Sequence, residues 1–203
     1  DACPGVFGNS TIAGYGCPDT DGDGLSDDND AFPNDPTRSQ DSDGDGFDDL
    51  EDDCRFAAGN STEDRLACPD TDADGYSDVT IAAGNETGWN TSDGADAFPT
   101  EPSQWNDSDG DGYGDELSGF QGDGCPTEEG YSNIGTFGCP DGDNDGVSQD
   151  GDAFPGDDTQ WEDQDGDGYG DNPNGTMPDS CILIVGVSTI DRYGCPDEDG
   201  DGA

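Results

Sequence analysis

The hexapeptide Asp-x-Asp-x-Asp-Gly begins at Asp19, Asp41, Asp70, Asp107, Asp141, Asp163 and Asp197, seven times in 203 residues. Alternate carboxylates on so short a stretch repel one another, unless their oxygens converge on a cation. Ca²⁺ takes about six to eight oxygen ligands, and a glycine after the third Asp permits the sharp turn that returns later ligands to the same ion. The fullest copy runs from Asp41 to Cys54 and adds Asp49 and Asp52 to Asp41, Asp43 and Asp45. One such hexapeptide fits an acidic turn. Seven in register with other landmarks point to Ca²⁺ loops, with about one ion or more per loop, rather than to a solvated acidic coil.

The rest of the composition leaves few other ways to fold. The chain carries 52 Asp and Glu against 4 Lys and Arg, a formal net charge of −48. Leu, Ile, Val and Phe number 24, about 12% of residues and below the roughly 20% under which a highly charged chain is expected to be disordered. A conventional hydrophobic core is excluded, so cations and covalent links must take its place. Such a surface repels nucleic acid and anionic membranes. The most apolar run, from Cys181 to Val187, is too short to insert across a bilayer.

Eight cysteines supply the covalent links. They occur as Cys3/Cys17, Cys54/Cys68, Cys125/Cys139 and Cys181/Cys195, always 14 apart, while the intervals between pairs vary. Constant local spacing predicts four local disulfides, each worth about 3 kcal/mol in the chain-entropy model. Zinc ligation and free thiols are the alternatives; the absence of His and of Cys-x-x-Cys argues against zinc. Disulfides imply an oxidising setting, extracellular or at a cell surface.

With the cysteine pairs as punctuation, residues 1–53 form repeat unit 1, 54–124 unit 2 (with an insertion near 79–93), 125–180 unit 3 and 181–203 a truncated unit 4. Each unit opens with a disulfide-bounded segment whose Gly-flanked, β-branched patches predict small hairpins or Ω-like loops. Gly and Pro recur every few residues and no apolar face has a helical period. The expected fold is irregular, with little regular secondary structure: an elongated tandem array of Asp-rich Ca²⁺ loops joined by small disulfide-bounded hairpins.

Within each unit the first loop follows the second Cys at once. In unit 1 its candidate ligands are Asp19, Asp21, Asp23, Asp27 and Asp30. In unit 2 they are Asp70, Asp72, Asp74 and Asp78, then, after the insertion, Asp96. Unit 3 offers Asp141, Asp143, Asp145 and Asp152, with Gln149 where an Asp would stand, which predicts weaker binding. Asp30, Asp96 and Asp152 each begin Asp-Ala-Phe-Pro, and the second loop starts eleven residues later every time. Its ligands in units 2 and 3 are Asp107, Asp109, Asp111 and Asp115 with Asp123, and Asp163, Asp165, Asp167 and Asp171 with Asp179. Five extra residues precede Asp123 and Asp179, yet both lie two before a Cys, as Asp52 does. Asp197, Asp199 and Asp201 open a further loop, so the chain reads as a processed product or a slice of a longer array. The connector Phe residues, with Trp105, Trp161 and Tyr113 or Tyr169, are expected to form a small apolar contact between loops, or alternatively a sugar-stacking platform.

Six Asn-x-Ser/Thr sequons, at Asn9, Asn60, Asn85, Asn90, Asn106 and Asn174, exceed the roughly one or two that composition would supply and predict N-glycosylation on exposed loops.

The pattern Asp-x-Asp-x-Asp-Gly-x-x-Asp-x-x-Asp, with a Cys two residues after the last Asp, resembles the thrombospondin type 3 repeat. Asp41 to Cys54 matches it without a gap, and Asp19 to Asp30 matches apart from the Cys. The Asp-Ala-Phe-Pro connectors look like those of long acidic arrays on microbial surface proteins. The resemblance implies Ca²⁺ ions wrapped by a largely irregular chain, with backbone carbonyls of Leu25, Phe47, Tyr76, Tyr113, Val147 and Tyr169 adding an oxygen each. EF-hand and dockerin modules are the nearest competitors, but they need a helix after each loop and an apolar residue at loop position eight, where this chain has Ser26, Asp48, Ser77 and Gly114.

The functional expectation is a non-catalytic extracellular protein whose array Ca²⁺ stiffens into a glycosylated fibre, stalk or adhesin spacer, self-association being the expected partnership. The alternative is a recognition or adhesion module that binds a protein or glycan. An enzyme is not expected: there is no His, and the paired carboxylates are already assigned to metal.

Overall fold

The computed structural model describes residues 2–80 and 88–203. They fall into two compact units, Asp1–Pro102 and Ser103–Ala203. Among the described residues the regular structure is one 3₁₀ turn, Thr91–Asp93, and two antiparallel two-residue strands, β1 (Asn133–Ile134) and β2 (Thr136–Phe137). Everything else is turn, bend or extended chain. The irregular architecture expected from the composition is therefore present, and among the described residues no loop is followed by the helix that an EF-hand or dockerin requires.

All four cysteine pairs are disulfides, Cys3–Cys17, Cys54–Cys68, Cys125–Cys139 and Cys181–Cys195, with Cα atoms 5.0–5.1 Å apart. The interior around them is made of sulfur and serine. Cys17, Cys54, Cys68, Cys139 and Cys195 are buried, and so are Ser10, Ser61, Ser132 and Ser188, one in each segment. Each of these serines accepts the N–H of the segment's second Cys and donates its hydroxyl to a carbonyl four residues on, as Ser132 does to Thr136 at 2.9 Å. A buried hydroxyl with both roles filled has its desolvation offset by the bonds it makes. Only the third segment tightens into the β1–β2 hairpin; the other three keep the same serine contact as loops. A glycine recurs five residues after each first Cys because backbone packs against it: a Cβ on Gly8 or Gly59 would sit 1.9 Å from the carbonyl carbon of Cys17 or Cys68.

These segments hold neighbouring loops in place. The carbonyl of the glycine at position six of each first loop accepts two N–H groups from the segment before it: Gly24 from Thr11 and Ile12, Gly75 from Thr62 and Glu63, Gly146 from Asn133 and Ile134, Gly202 from Thr189 and Ile190. On the other side, the N–H groups of Gly59, Gly130 and Gly186 donate to Oδ2 of Asp45, Asp111 and Asp167 in the preceding second loops. A cross-linked segment thus clamps one loop on either side.

Two aromatic pairs link second loops to the disulfide segments that follow them. Tyr113 and Tyr169 pair with Phe137 and Tyr193 of the following disulfide segments, centroids 5.8 Å apart in both cases. Phe32 instead carries the Arg38 guanidinium, 3.9 Å above its ring. Asp111 and Asp167 tether these segments to the second loops through Gly130 and Gly186.

Candidate metal centre

Each Asp-rich loop is built by its own carboxylates. In the Asp41 loop, Asp41 Oδ1 accepts the Gly44 N–H and its Oδ2 the Gly46 N–H, while Asp43 and Asp45 accept the N–H groups of Asp45 and Phe47. The same bonds recur from Asp19, Asp70, Asp107, Asp141, Asp163 and Asp197. Position four lies in the left-handed region in every one of these loops, including those where Ala73 (φ 66°) and Asn144 (φ 67°) replace glycine. The turn converges the triplets: carboxylate oxygens of Asp19/Asp21/Asp23, Asp41/Asp43/Asp45, Asp70/Asp72/Asp74, Asp107/Asp109/Asp111 and Asp141/Asp143/Asp145 lie within 4.8 Å of one another, as do two further acidic groups among the described residues.

The hydrogen bonds leave a consistent remainder. Oδ2 of the position-three residues Asp21, Asp43, Asp72, Asp109, Asp143 and Asp165 is buried with no donor, as is Oδ2 of Asp74 and Asp145 at position five. The same holds for the closing residues Asp96, Asp123 and Asp179. A buried acceptor left unsatisfied costs about 1–3 kcal/mol, more if charged, and its recurrence at equivalent positions is compatible with a bound cation. The donor set is all carboxylate and carbonyl oxygen, which suits a hard ion such as Ca²⁺. The residues fit the group.

The closing carboxylates are the sharpest part of the site. Asp30, Asp52, Asp96, Asp123 and Asp179 are among the buried side chains. In each, as in Asp152, Oδ1 accepts the N–H two residues on: Phe32, Cys54, Phe98, Cys125, Phe154 or Cys181. Burial pushes Asp96 up to about 7, its backbone bond opposing and the charges of Asp74, Asp72 and Asp78 adding to the rise. Asp52 is raised to about 6 by burial and by Asp43, Asp45 and Asp49. Asp30, Asp123, Asp152 and Asp179 are raised for the same reasons, burial first and then the neighbouring carboxylates of the same loop. The insertion before Asp96 and the extensions before Asp123 and Asp179 therefore do not displace the closing residue from its loop.

Position nine has a structural role inside the loop besides its expected one as a ligand. Asp27, Asp49, Asp78 and Asp115 use both oxygens on the residue at position two, accepting the N–H and hydroxyl of Thr20, Ser42, Thr71 and Ser108. They brace the two ends of the loop, helped by the position-nine N–H donating to the carbonyl just before the loop, as from Asp49 to Gln40 and Asp115 to Asn106. Where Gln164 brings no hydroxyl, Asp171 bonds only its N–H and keeps a buried Oδ1 without a donor. In the remaining loop Gly142 stands at position two, and the Gln149 Oε1 lies 2.6 Å from where a Cβ would be. The sequence carries this brace as a Ser or Thr at loop position two, seven residues before the Asp.

Two buried glutamines were also missed. Gln104 and Gln160, each 1% exposed, organise the five-residue extensions. Gln104 Nε2 donates to the carbonyls of Glu116 and Phe120 and its Oε1 accepts the Glu116 N–H; Gln160 repeats this with Asn172 and Thr176. The unextended unit 1 solves the same problem with Asp48, which accepts N–H groups from Ser39, Gln40 and Leu50.

The carbonyls of Leu25, Phe47, Tyr113, Val147 and Tyr169 accept no backbone N–H among the described residues; Tyr76 occupies the same loop position. Of the sequons, Asn9, Asn60 and Asn174 are exposed. Asn90 and Asn106 are exposed too, but their side chains are engaged: Asn90 caps the 3₁₀ turn and Asn106 donates to Ser108 and Asp115. Asn85 lies outside the described residues. No helix in the described part is long and apolar enough to cross a membrane.

No protein-family model matches the chain, and no curated protein matches it. What stands on geometry is an irregular, four-disulfide array of acidic triplets able to hold metal ions, compatible with a Ca²⁺-binding repeat.

Proposed function

We propose that the chain is a non-catalytic, extracellular structural protein in which Ca²⁺ stiffens a thrombospondin type 3-like array that serves as a fibre, stalk or adhesin spacer. The observation that carries this reading is the recurrence of buried, donorless oxygens at positions three and five and on the closing Asp. Without cations, a net charge of −48 works against any compact state. With them, each loop's turn and its closing residue are tied to one centre, so that binding and ordering become a single equilibrium. Extracellular Ca²⁺ modules work at dissociation constants of roughly 10⁻⁴–10⁻³ M, so millimolar Ca²⁺ keeps the array rigid. The disulfides support an oxidising location, and N-glycans at Asn9, Asn60 and Asn174 would cover loop surface without disturbing a carboxylate.

The test is electron microscopy and limited proteolysis of the purified material before and after excess chelator. Extended, protease-resistant particles that soften and become cleavable on chelation support the reading. Unchanged shape and resistance in chelator would refute it.

A further inference from the structure

The Asp107 and Asp163 loops are built alike. Each is followed by an extension held by a buried glutamine, Gln104 or Gln160, and each is tethered at position five by a glycine N–H, Gly130 to Asp111 and Gly186 to Asp167. They differ in what reaches the position-nine carboxylate. Asp115 accepts three donors, the N–H and hydroxyl of Ser108 and the Asn106 amide. Asp171 accepts one, the Gln164 N–H at 3.0 Å, and its Oδ1 is buried with no donor. No other position-nine Asp among the described residues has such an oxygen.

Two more oxygens of this loop share that condition. Oδ2 of Asp165 and Oδ2 of the closing Asp179, a side chain 7% exposed, are buried without a donor. The Asp107 loop has such oxygens on Asp109 and Asp123 alone. A donated hydrogen bond stabilises a carboxylate's charge and occupies a lone pair, so an oxygen that receives none keeps more for a cation. Ligand charge and site rigidity together set Ca²⁺ affinity. Without the hydroxyl the Asp163 loop still keeps its backbone brace: the Asp171 N–H donates to the Glu162 carbonyl at 2.9 Å, as the Asp115 N–H does to Asn106.

We propose that Gln164, by bringing no hydroxyl to position two, leaves Asp171 Oδ1 for the ion and makes the Asp163 loop the tighter Ca²⁺ site of the two. Position two then determines affinity: a Ser or Thr there draws the position-nine carboxylate into the loop's own hydrogen bonds. As Ca²⁺ falls, the Asp107 loop loosens first. The proposal rests on the Ca²⁺ reading above and ranks two of its sites.

The experiment is hydrogen exchange read by peptide mass spectrometry across a Ca²⁺ titration, which gives each loop its own midpoint. It uses the full, disulfide-bonded chain made without N-glycans, so that Asn106 is unmodified. Two variants are compared with the parent, Gln164→Ser and Gln164→Ala; residue 164 is exposed, so neither disturbs packing. In the parent the Asp163 loop is expected to gain protection at lower Ca²⁺ than the Asp107 loop. Gln164→Ser restores the hydroxyl and should raise the Asp163 midpoint by about tenfold, the low end for a residue that orients a metal ligand. Gln164→Ala brings no hydroxyl and should stay at the parent's midpoint, which excludes the glutamine itself as the ligand. An Asp107 loop protected first, a Gln164→Ser midpoint unchanged or lowered, or a Gln164→Ala midpoint raised as far as that of Gln164→Ser would overturn the proposal. Loops that all gain protection with Ca²⁺ but in the wrong order refute this ranking alone, whereas loops that gain none at any Ca²⁺ concentration refute the Ca²⁺ reading with it.

Discussion

Asp96 is 1% exposed, yet one of its oxygens has no donor and its nearest charges are the carboxylates of its own loop. That combination disfavours the charged carboxylate unless a proton or a cation joins it. Asp96→Asn keeps the acceptor that holds the Phe98 N–H and removes the charge. It should weaken Ca²⁺ binding at that loop by roughly tenfold or more, given that even supporting residues of metal sites cost that much, while the other loops titrate as before in calorimetry. The raised carboxyls also set a pH dependence. In chelator, folded Asp96 (about 7) and Asp52 (about 6) hold protons more tightly than the unfolded value of 3.8. Between those values the folded state binds more protons, so stability is greatest at the acid end and falls as pH rises. A metal-free melting temperature that climbs from about pH 8 to about pH 5 is expected; saturating Ca²⁺ should reverse the slope, because protons then compete with the ion.

At the scale of the element, loops and segments are held by polar contacts that occupy the place of a hydrophobic core. Gly170 shows how closely they fit. A Cβ there would lie 2.1 Å from Gln160 Oε1, the atom that receives the Asn172 N–H. Gly170→Ala should therefore loosen the extension before Asp179 and cost about 2–3 kcal/mol, as loss of a buried polar network does. Gly156→Ala, with open space around the new methyl, is the matched control in denaturant melts. The disulfide segments contribute by clamping. Reduction of Cys54–Cys68 frees the Gly59 N–H from Asp45 and the Thr62 and Glu63 N–H groups from Gly75. Hydrogen exchange at fixed Ca²⁺ should then quicken in both the Asp41 and Asp70 loops. Exchange confined to the cysteine segment would contradict the clamp.

For the whole molecule, the governing quantity is charge. Four arginines against 52 acids cannot neutralise the surface, and the described part has one ion pair, Arg38 with Glu51 at 3.8 Å. Arg38 also lies over Phe32, and Arg65 over Trp89. On the reading proposed here, divalent cations supply the missing positive charge. Raising monovalent salt should compact the metal-free chain only partly in small-angle scattering, since screening weakens repulsion without supplying ligands for the orphaned oxygens.

The loops, the cysteine pairing and the near-absence of helix and strand were legible in the sequence because each is local. A carboxylate triplet spans five residues and a disulfide 14, so spacing alone sets the geometry, and too few apolar residues remain for regular elements to pack. Tertiary structure alone decided that Asp96, Asp123 and Asp179 return to their loops across intervening residues. It also turned position nine toward a hydroxyl, buried Gln104 and Gln160, and joined Asp45, Asp111 and Asp167 to glycines 14 to 19 residues away. Those contacts depend on where a chain arrives after several turns, and a period read along the chain does not carry that information.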